Sequence, residues 1–204
     1  RTYYFTALAL ADCQNIEITL ANKDAGQISK EGLGSVTFTN VDGSHDLIYA
    51  APTTYTTPAT VEEMATMPLV GLNFKHLLSK VRFSFKNGLL NKFATLKVTN
   101  IKMVVPSKAT IDLTQDTFSW VLAADAKDVV LDFDDAGDAA NFATGESASS
   151  DHFRLTIPAD DKQQYLVTFT VSTYNGDVKG ADYPVEVYIK DCEFKPGKQY
   201  NFKV

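Results

Sequence analysis

The chain has 204 residues, of which 45% are hydrophobic and 11% aromatic, and its formal net charge is −6 at pH 7. This length suffices for one large β-sandwich domain, or for one complete domain and part of another. The apolar content excludes disorder as the dominant state, and the acidic balance without a long basic run argues against nucleic acid and anionic membrane surfaces as partners.

Strand patterns begin at the start of the chain. An aromatic and β-branched run at residues 3–6 predicts a first strand. Val36 and Phe38 then alternate with threonines before a turn at residues 42–44. This first part of the chain holds too few strands to close a sandwich alone.

A linker is predicted after these strands. Residues 53–66 are rich in Thr and Pro, and residues 61–64 are their only helix-like piece. We place a domain boundary near Met67 and Pro68. The predicted domains are a partial N-terminal β domain with its linker, residues 1–68, and a C-terminal β-sandwich, residues 69–204.

Beyond the linker, apolar residues at every second position predict about eight strands, which is typical of a two-sheet antiparallel sandwich. The candidate segments, one of whose short members we expect to be absent, are residues 72–85, 95–105, 110–113, 118–122, 129–133, 152–157, 164–174, 183–190 and 199–204. We expect a core of Phe74, Phe83, Phe85, Trp120, Phe153, Val167, Phe169, Val185 and Val187. Residues 134–151 predict a long surface loop.

Two of these segments change phase midway. The apolar parity of residues 72–78 differs from that of residues 81–85, and residues 96–98 differ in the same way from residues 101–105. One extra residue in a strand turns every later side chain to the opposite face, so each change indicates a β-bulge. A break between two separate strands explains the pattern equally well.

The histidines are isolated from one another. His76 lies on the apolar parity of its strand, where a structural ring that is at least half buried is the favoured interpretation over a ligand or base. His45 and His152 are expected to be solvated. No nucleophile elbow, phosphate loop or dinucleotide motif is present. We therefore expect no catalytic residue, no cofactor and no metal site, and we do not expect an enzyme.

The strongest acidic cluster is residues 132–138. A calcium loop would need oxygen ligands at its fifth and twelfth positions, which Ala136 and Ala143 occupy here. A solvated acidic loop is therefore the favoured interpretation.

Aromatic residues could form a sugar-stacking platform if they shared one exposed face. The candidates are Tyr3, Tyr4, Trp120, Tyr174 and Tyr188. For Trp120 we expect a core position, because Phe118 and Leu122 flank it at period 2.

Two cysteines, Cys13 and Cys192, are too few for a disulfide framework and lack metal-ligand spacing. Buried or half-buried thiols are favoured over a bridge between them, although the bridge stays open at this stage.

Four pieces of the sequence resemble a known family in their order along the chain. They are YYFTA at residues 3–7, DLIYA at residues 46–50, LNFKHLLSKVRFSF at residues 72–85 and FKPGKQYNF at residues 194–202. Together they resemble the fimbrillin family, which comprises type V pilins and Mfa-like surface lipoproteins of Bacteroidia.

The resemblance implies two transthyretin-like β-sandwich domains joined near residues 46–50. For this chain we therefore expect an all-β, antiparallel, transthyretin-like β-sandwich, with one complete domain and part of an N-terminal β domain. It also implies a lipoprotein at the cell surface, in the outer membrane or a fimbrium, with no catalytic site. Its partners would be other fimbrial subunits, engaged by strand exchange, and a host protein or glycan receptor. A surface glycan-binding β-sandwich module is the alternative function.

The ends of the chain suggest its place in an assembly. It begins at Arg1 within a predicted strand, so we expect a processed or trimmed form. Sequence that polymerising members carry before residue 3 and after Val204 is absent, which favours a tip, anchor or accessory subunit over a stalk pilin. Residues 3–9 and 35–40 are short, uncharged and β-prone, and we expect them to form an edge that accepts a strand from a partner.

Overall fold

The structure is a computed structural model that describes residues 1–10, 15–19, 32–60, 69–91, 94–115, 117–134, 141–158 and 164–204. Within these ranges the chain is all-β and forms fifteen strands in four sheets. No helix in the same ranges has the length and apolar character needed to span a bilayer.

The strands in chain order are β1 (Thr2–Leu10), β2 (Ile16–Thr19), β3 (Ser35–Thr39), β4 (Leu47–Thr56), β5 (Phe74–His76), β6 (Ser79–Lys86), β7 (Ala94–Pro106), β8 (Lys108–Asp112), β9 (Trp120–Leu122), β10 (Asp128–Asp132), β11 (Ser147–Ser149), β12 (Arg154–Thr156), β13 (Gln164–Asn175), β14 (Val178–Lys190) and β15 (Gln199–Lys203).

The first core lies between two antiparallel sheets, ordered β1-β4-β5 and β2-β3-β8-β9. Its largest buried side chains are Phe38, Leu47, Tyr49, Ile111 and Trp120. The Trp120 ring packs edge-to-face on Phe38, and its indole N–H donates to the Leu77 carbonyl oxygen at 2.9 Å. The buried indole therefore has the hydrogen-bond partner that it needs.

The second core lies between the antiparallel sheet β10-β7-β13-β14 and a sheet centred on β6. Strands β11 and β12 pair antiparallel with one side of β6, and β15 pairs parallel with its other side. The Phe83 ring lies at the centre of this core, 4.9 Å from the Phe133 ring. Alternate positions of β6 are buried, as the period-2 pattern requires.

The predicted all-β, antiparallel sandwich class is confirmed, but the expected pairing of three strands is wrong. β8 and β9 were expected in the C-terminal sandwich, whereas they pair with β3 and contribute Ile111 and Trp120 to the first core. They do so because the strands before the linker cannot close that core alone. β15 is parallel to its neighbour rather than antiparallel. The predicted boundary at Met67 and Pro68 falls outside the described residues, so the division into residues 1–68 and 69–204 stays a prediction.

The two phase changes have different causes. The first is an interruption between two separate strands, because β5 ends at His76 and β6 begins at Ser79. Leu77 and Leu78, which lie between them, are both buried. The second is a bulge within the continuous strand β7, where Asn100 has φ 56° and the register with β13 shifts. Asn is one of the few residues that adopt this left-handed conformation readily.

Most residues of the predicted core are buried or partly buried in the structure, and two are not. Phe83, Phe85, Trp120, Val167 and Phe169 are buried, and Val185 and Val187 are partly buried. Phe74 and Phe153 were expected in the core but are 47% and 50% exposed. Phe74 belongs to the short edge strand β5, and Phe153 lies before β12 with a lysine on its ring.

Where it is described, the predicted loop at residues 134–151 contains regular secondary structure and a core residue. It contains β11 and a buried Phe142, which forms a bridge with Leu96. Residues 135–140 of this segment lie outside the described ranges.

Candidate functional site

The sheets differ in how their outer strands are protected. Within the described ranges, β14 is the outer strand of its sheet and contains Pro184, Glu186 and three further charged residues. β10 begins and ends with Asp128 and Asp132, whereas β2, β5 and β9 have only three or four residues each. Charge, proline and shortness all discourage an outer strand from pairing with another chain.

β1 has none of these protections. Its nine residues, TYYFTALAL, include no charge, no proline and no glycine. It pairs antiparallel with β4 and with no other described strand. A long, uncharged outer strand presents a row of unpaired backbone groups on which another strand can form. β1 is therefore the candidate site for assembly.

Backbone pairing shows which β1 groups point outward. The Arg1 carbonyl oxygen accepts the Thr57 N–H at 2.8 Å, so Arg1 and Thr57 form a hydrogen-bonded pair. Such pairs alternate with non-hydrogen-bonded pairs in an antiparallel ladder. In the register that joins Thr2 to Thr56, the N–H and C=O groups of Thr2 and Tyr4 therefore point away from β4.

The beginning of β1 and the end of β4 form what we call the aromatic ribbon, residues 2–5 and 53–56. β5 pairs with β4 only through residues 48–50, so this ribbon has no described third strand. Tyr3, Tyr4 and Phe5 are 37–42% exposed, and the Phe5 ring packs edge-to-face on Tyr55 with centroids 6.4 Å apart.

The later part of β1 is anchored to the protein. Leu8 and Leu10 pack on the first core. The Thr6 hydroxyl donates to the Ala50 carbonyl oxygen at 2.6 Å, beside a register shift between Phe5 and Ala7. β1 thus combines an anchored end with an exposed, apolar end.

The second expected edge, residues 35–40, is not an edge. β3 pairs with β2 on one side and with β8 on the other. Val36 and Phe38 are fully buried, because the alternation seen in the sequence comes from a central strand that faces the first core. This expectation was wrong, and it leaves β1 as the acceptor candidate.

The expectation that the His76 ring is at least half buried was also wrong. Its side chain is 63% exposed, and Nδ1 contacts the Asp46 carboxylate. Because β5 ends at His76, the buried positions are those of the next two residues, Leu77 and Leu78. His45 and His152, expected to be solvated, are both only partly exposed. Among the described side chains, no group of three or more His, Cys, Asp or Glu could hold a metal ion.

The acidic segment at residues 132–138 differs in part from a solvated loop. Phe133 is fully buried in the second core, and Asp134 Oδ2 accepts the Ile101 N–H at 2.8 Å. Burial is the main cause that raises the pKa of Asp134 to about 6, with smaller contributions from the charges of Asp151 and Asp132. Residues 135–140 lie outside the described ranges.

This raised pKa predicts a pH-dependent stability. Folded Asp134 holds its proton up to pH about 6, whereas the unfolded group loses it near pH 3.8, so the wild type loses stability as pH rises across that window. We expect Asp134→Asn, which retains an oxygen for the Ile101 N–H, to be more stable than the wild type at pH 7. The gain should be roughly 1–2 kcal/mol, reduced from the full shift by partial exposure. Urea unfolding at pH 4 and pH 7 tests this, and an equal difference at both values would contradict it.

The five aromatic candidates do not share one face. Trp120 lies in the first core, as predicted. Tyr3 and Tyr4 lie on β1, whereas Tyr174 and Tyr188 lie on β13 and β14 in another sheet. A single sugar-stacking platform made of these residues is therefore not formed.

Cys192 is partly buried against the second core, and this burial raises the pKa of its thiol. Cys13 lies outside the described residues, so the state of the cysteine pair stays a prediction.

Within the described ranges, two sandwich cores and strands without helices define the class of the chain as a β-sandwich protein with one unprotected outer strand. The chain belongs to the fimbrillin-like family, whose sequence profile matches residues 14–204. No curated protein matches the chain.

Solved structures are similar in fold. The crystal structure of a candidate cell adhesion protein from Bacteroides fragilis has a TM-score of 0.50 at 12% identity, covering 99% of this chain and 59% of that one. Candidate cell adhesion proteins from Bacteroides uniformis and Bacteroides ovatus have TM-scores of 0.45 and 0.43, both at 16% identity. Each match covers 98% of this chain, and 67% and 62% of theirs. The chain thus spans about three fifths of the B. fragilis protein, and the likeness is one of fold.

Proposed function

We propose that the protein is a structural or adhesive subunit of cell-surface fimbriae, held in the outer membrane or the fimbrium, and that it assembles with other subunits by addition of a β-strand at β1. Membership in the fimbrillin-like family supports the fimbrial role. The observation that carries the mode of assembly is the uncharged, nine-residue outer strand. This role is structural and needs no catalytic site.

The energetics of such a contact follow from β1 itself. Each backbone hydrogen bond that an incoming strand makes contributes about 0.5–1.5 kcal/mol net. Side chains of that strand would also cover Tyr3, Tyr4 and Phe5, which are large and more than one third exposed. Backbone pairing supplies affinity, and the aromatic side chains select the partner's sequence.

Tyr4→Pro tests this mode of assembly. Proline removes the outward N–H of residue 4 but leaves the hydrogen-bonded pairs at Arg1 and Tyr3 intact, and an outer strand tolerates it at such a position. In fimbriae sheared from the bacterium that makes the protein, we expect the Tyr4→Pro subunit to fall at least tenfold below the wild type by immunoblot.

Tyr4→Thr is the matched control, because it removes the ring and keeps both the N–H and a strand-forming side chain. We expect this variant to enter fimbriae at more than half the wild-type level. Thermal unfolding of the purified variants checks that both are folded. Equal incorporation of a folded Tyr4→Pro subunit would show that β1 is not the site of strand addition.

A further inference from the structure

A cavity of about 440 Å³ opens where the two cores meet. Its walls come from four segments that are distant in sequence: residues 44–46, 76–80, 153–155 and 197–199. Ligand cavities of this size are common in proteins and occur preferentially where structural units meet. Asp46 and the segments 76–80 and 197–199 lie in the sequence pieces DLIYA, LNFKHLLSKVRFSF and FKPGKQYNF, and strand addition at β1 uses none of them.

Backbone hydrogen bonds hold these walls together. The Gly197 N–H donates to the Leu78 carbonyl oxygen at 2.9 Å, and the Lys80 N–H donates to the Lys198 carbonyl oxygen at 2.9 Å. The Leu155 N–H donates to the Gly43 carbonyl oxygen at 2.8 Å. Because backbone atoms fix the walls, the cavity exists before any ligand arrives, which lowers the entropic cost of binding.

Gly197 brings two of the walls into close approach. Its φ is 68°, a left-handed conformation that other residues adopt at a cost. A Cβ at this position would also lie 3.3 Å from the His76 carbonyl oxygen, closer than ordinary contact. Glycine therefore allows the turn before β15 to lie against β5 at the rim of the cavity.

The cavity has an apolar base and an aromatic side. Leu78 and Leu155 are 1% and 8% exposed and belong to the first core. Phe153, by contrast, is half exposed, and the Lys80 ammonium lies 3.3 Å from the centroid of its ring. This cation–π contact positions a positive charge beside an apolar surface that a ligand can reach.

Hydrogen-bonding groups surround this apolar surface. The Asp46 carboxylate contacts His76 Nδ1 through Oδ2, which leaves His76 Nε2 available to a ligand. Asp46 Oδ1 is buried and accepts no hydrogen bond from a described residue. Lys198 and Gln199 also line the cavity.

The charges in the cavity favour an anion. Among the described residues of the lining, Lys80 and Lys198 are cations, and Asp46, whose carboxylate contacts His76, is the one acidic residue. On a chain of net charge −6, two lysines against one carboxylate give this lining an excess of positive charge, which favours an anion.

We propose that this cavity binds an acidic sugar, such as a uronic acid unit of a glycan. Its carboxylate lies against the ammonium groups of Lys80 and Lys198. Its apolar face contacts the part of the Phe153 ring that Lys80 leaves exposed, and its hydroxyls bond to His76 and Gln199. A sugar acid matches a site that alternates apolar surface, donors, acceptors and positive charge. The inference deepens the adhesive part of the proposed function and does not depend on strand addition.

The test is a titration of the purified, full chain with three probes, followed by NMR of the backbone amides. The probes are methyl β-glucuronide, the neutral methyl β-glucoside, and acetate. We expect the glucuronide to shift the amides of residues 153–155 and 197–199, with a Kd at least tenfold lower than that of either other probe. No shift at these residues, or equal affinity for acetate or the glucoside, would overturn the proposal.

Lys80→Gln removes the charge and keeps a polar, unbranched side chain, and it should weaken glucuronide binding about tenfold. Lys179→Gln is the control, because Lys179 is an exposed lysine on β14 in another sheet. Equal affinities of the two variants would contradict the assignment. Tyr4→Pro should bind the glucuronide as the wild type does, so the sugar site and the assembly site can each fail separately.

Discussion

Replacing Trp120 by alanine is expected to lower the free energy of unfolding by about 3–5 kcal/mol. Trp120 is 2% exposed and is among the largest side chains of the first core. Its removal leaves a cavity beside Phe38, and it also leaves the Leu77 carbonyl oxygen without the indole donor. The residue joins β9, β3 and the segment between β5 and β6, so its loss weakens the contact between both sheets of that sandwich.

Trp120→Phe separates these two contributions, because it retains most of the ring and removes the N–H. The expected cost is about 1–3 kcal/mol, mainly from the unsatisfied carbonyl group. Since the chain has a single tryptophan, urea unfolding should be followed by far-UV circular dichroism. A loss below about 1 kcal/mol for Trp120→Ala would contradict its placement in a packed core.

The second large loss of folding stability is expected when Phe83 is replaced by alanine. Its ring is 1% exposed and contacts the rings of Phe85, Phe133 and Phe202. We expect Phe83→Ala to cost about 3–5 kcal/mol, because these contacts link the central strand β6 to β15 and to the facing sheet.

Phe74→Ala is the matched control, since Phe74 has the same side chain on β5, the strand that precedes β6 in the chain, and is 47% exposed. Its loss should cost less than about 1 kcal/mol. The sequence alone predicts similar burial for both residues, so denaturant unfolding of this pair tests the structure directly. Equal destabilisation by the two substitutions would contradict the observed arrangement.

The positions of most strands could be predicted because period-2 alternation is a local property. The sheet that each strand joins could not be predicted in this way. β8 and β9 alternate like the strands around them, but they pair with β3, which lies about seventy residues earlier in the register that joins Thr37 to Thr110. Alternation identifies a buried face and does not identify the core that buries it.

His76 shows a second limit of the alternation argument. Its parity matched that of Leu78, but the break between β5 and β6 ends the alternation at His76. The His76 ring therefore faces outward to Asp46. The apolar pattern in the sequence is compatible with a bulge and with a break between strands, and it does not distinguish them.

The candidate sites differ in how visible they are from the sequence. The uncharged run of β1 could be identified as an edge candidate from composition alone. The cavity brings together four segments that span residues 44–199, and no local pattern relates Lys80 to Phe153. The signal that could have located it was the set of family-like pieces, which contain Asp46, His76, Lys80 and Gly197.

Hydrogen exchange at the β1 amides is the most direct test of strand addition. In the isolated protein, the outward amides of Thr2 and Tyr4 should exchange rapidly, whereas the Tyr3 amide, which faces β4, serves as a protected reference. In purified fimbriae, our account predicts that the Thr2 and Tyr4 amides become protected by the added strand. Equally rapid exchange of these two amides in the isolated protein and in fimbriae would contradict assembly at this edge.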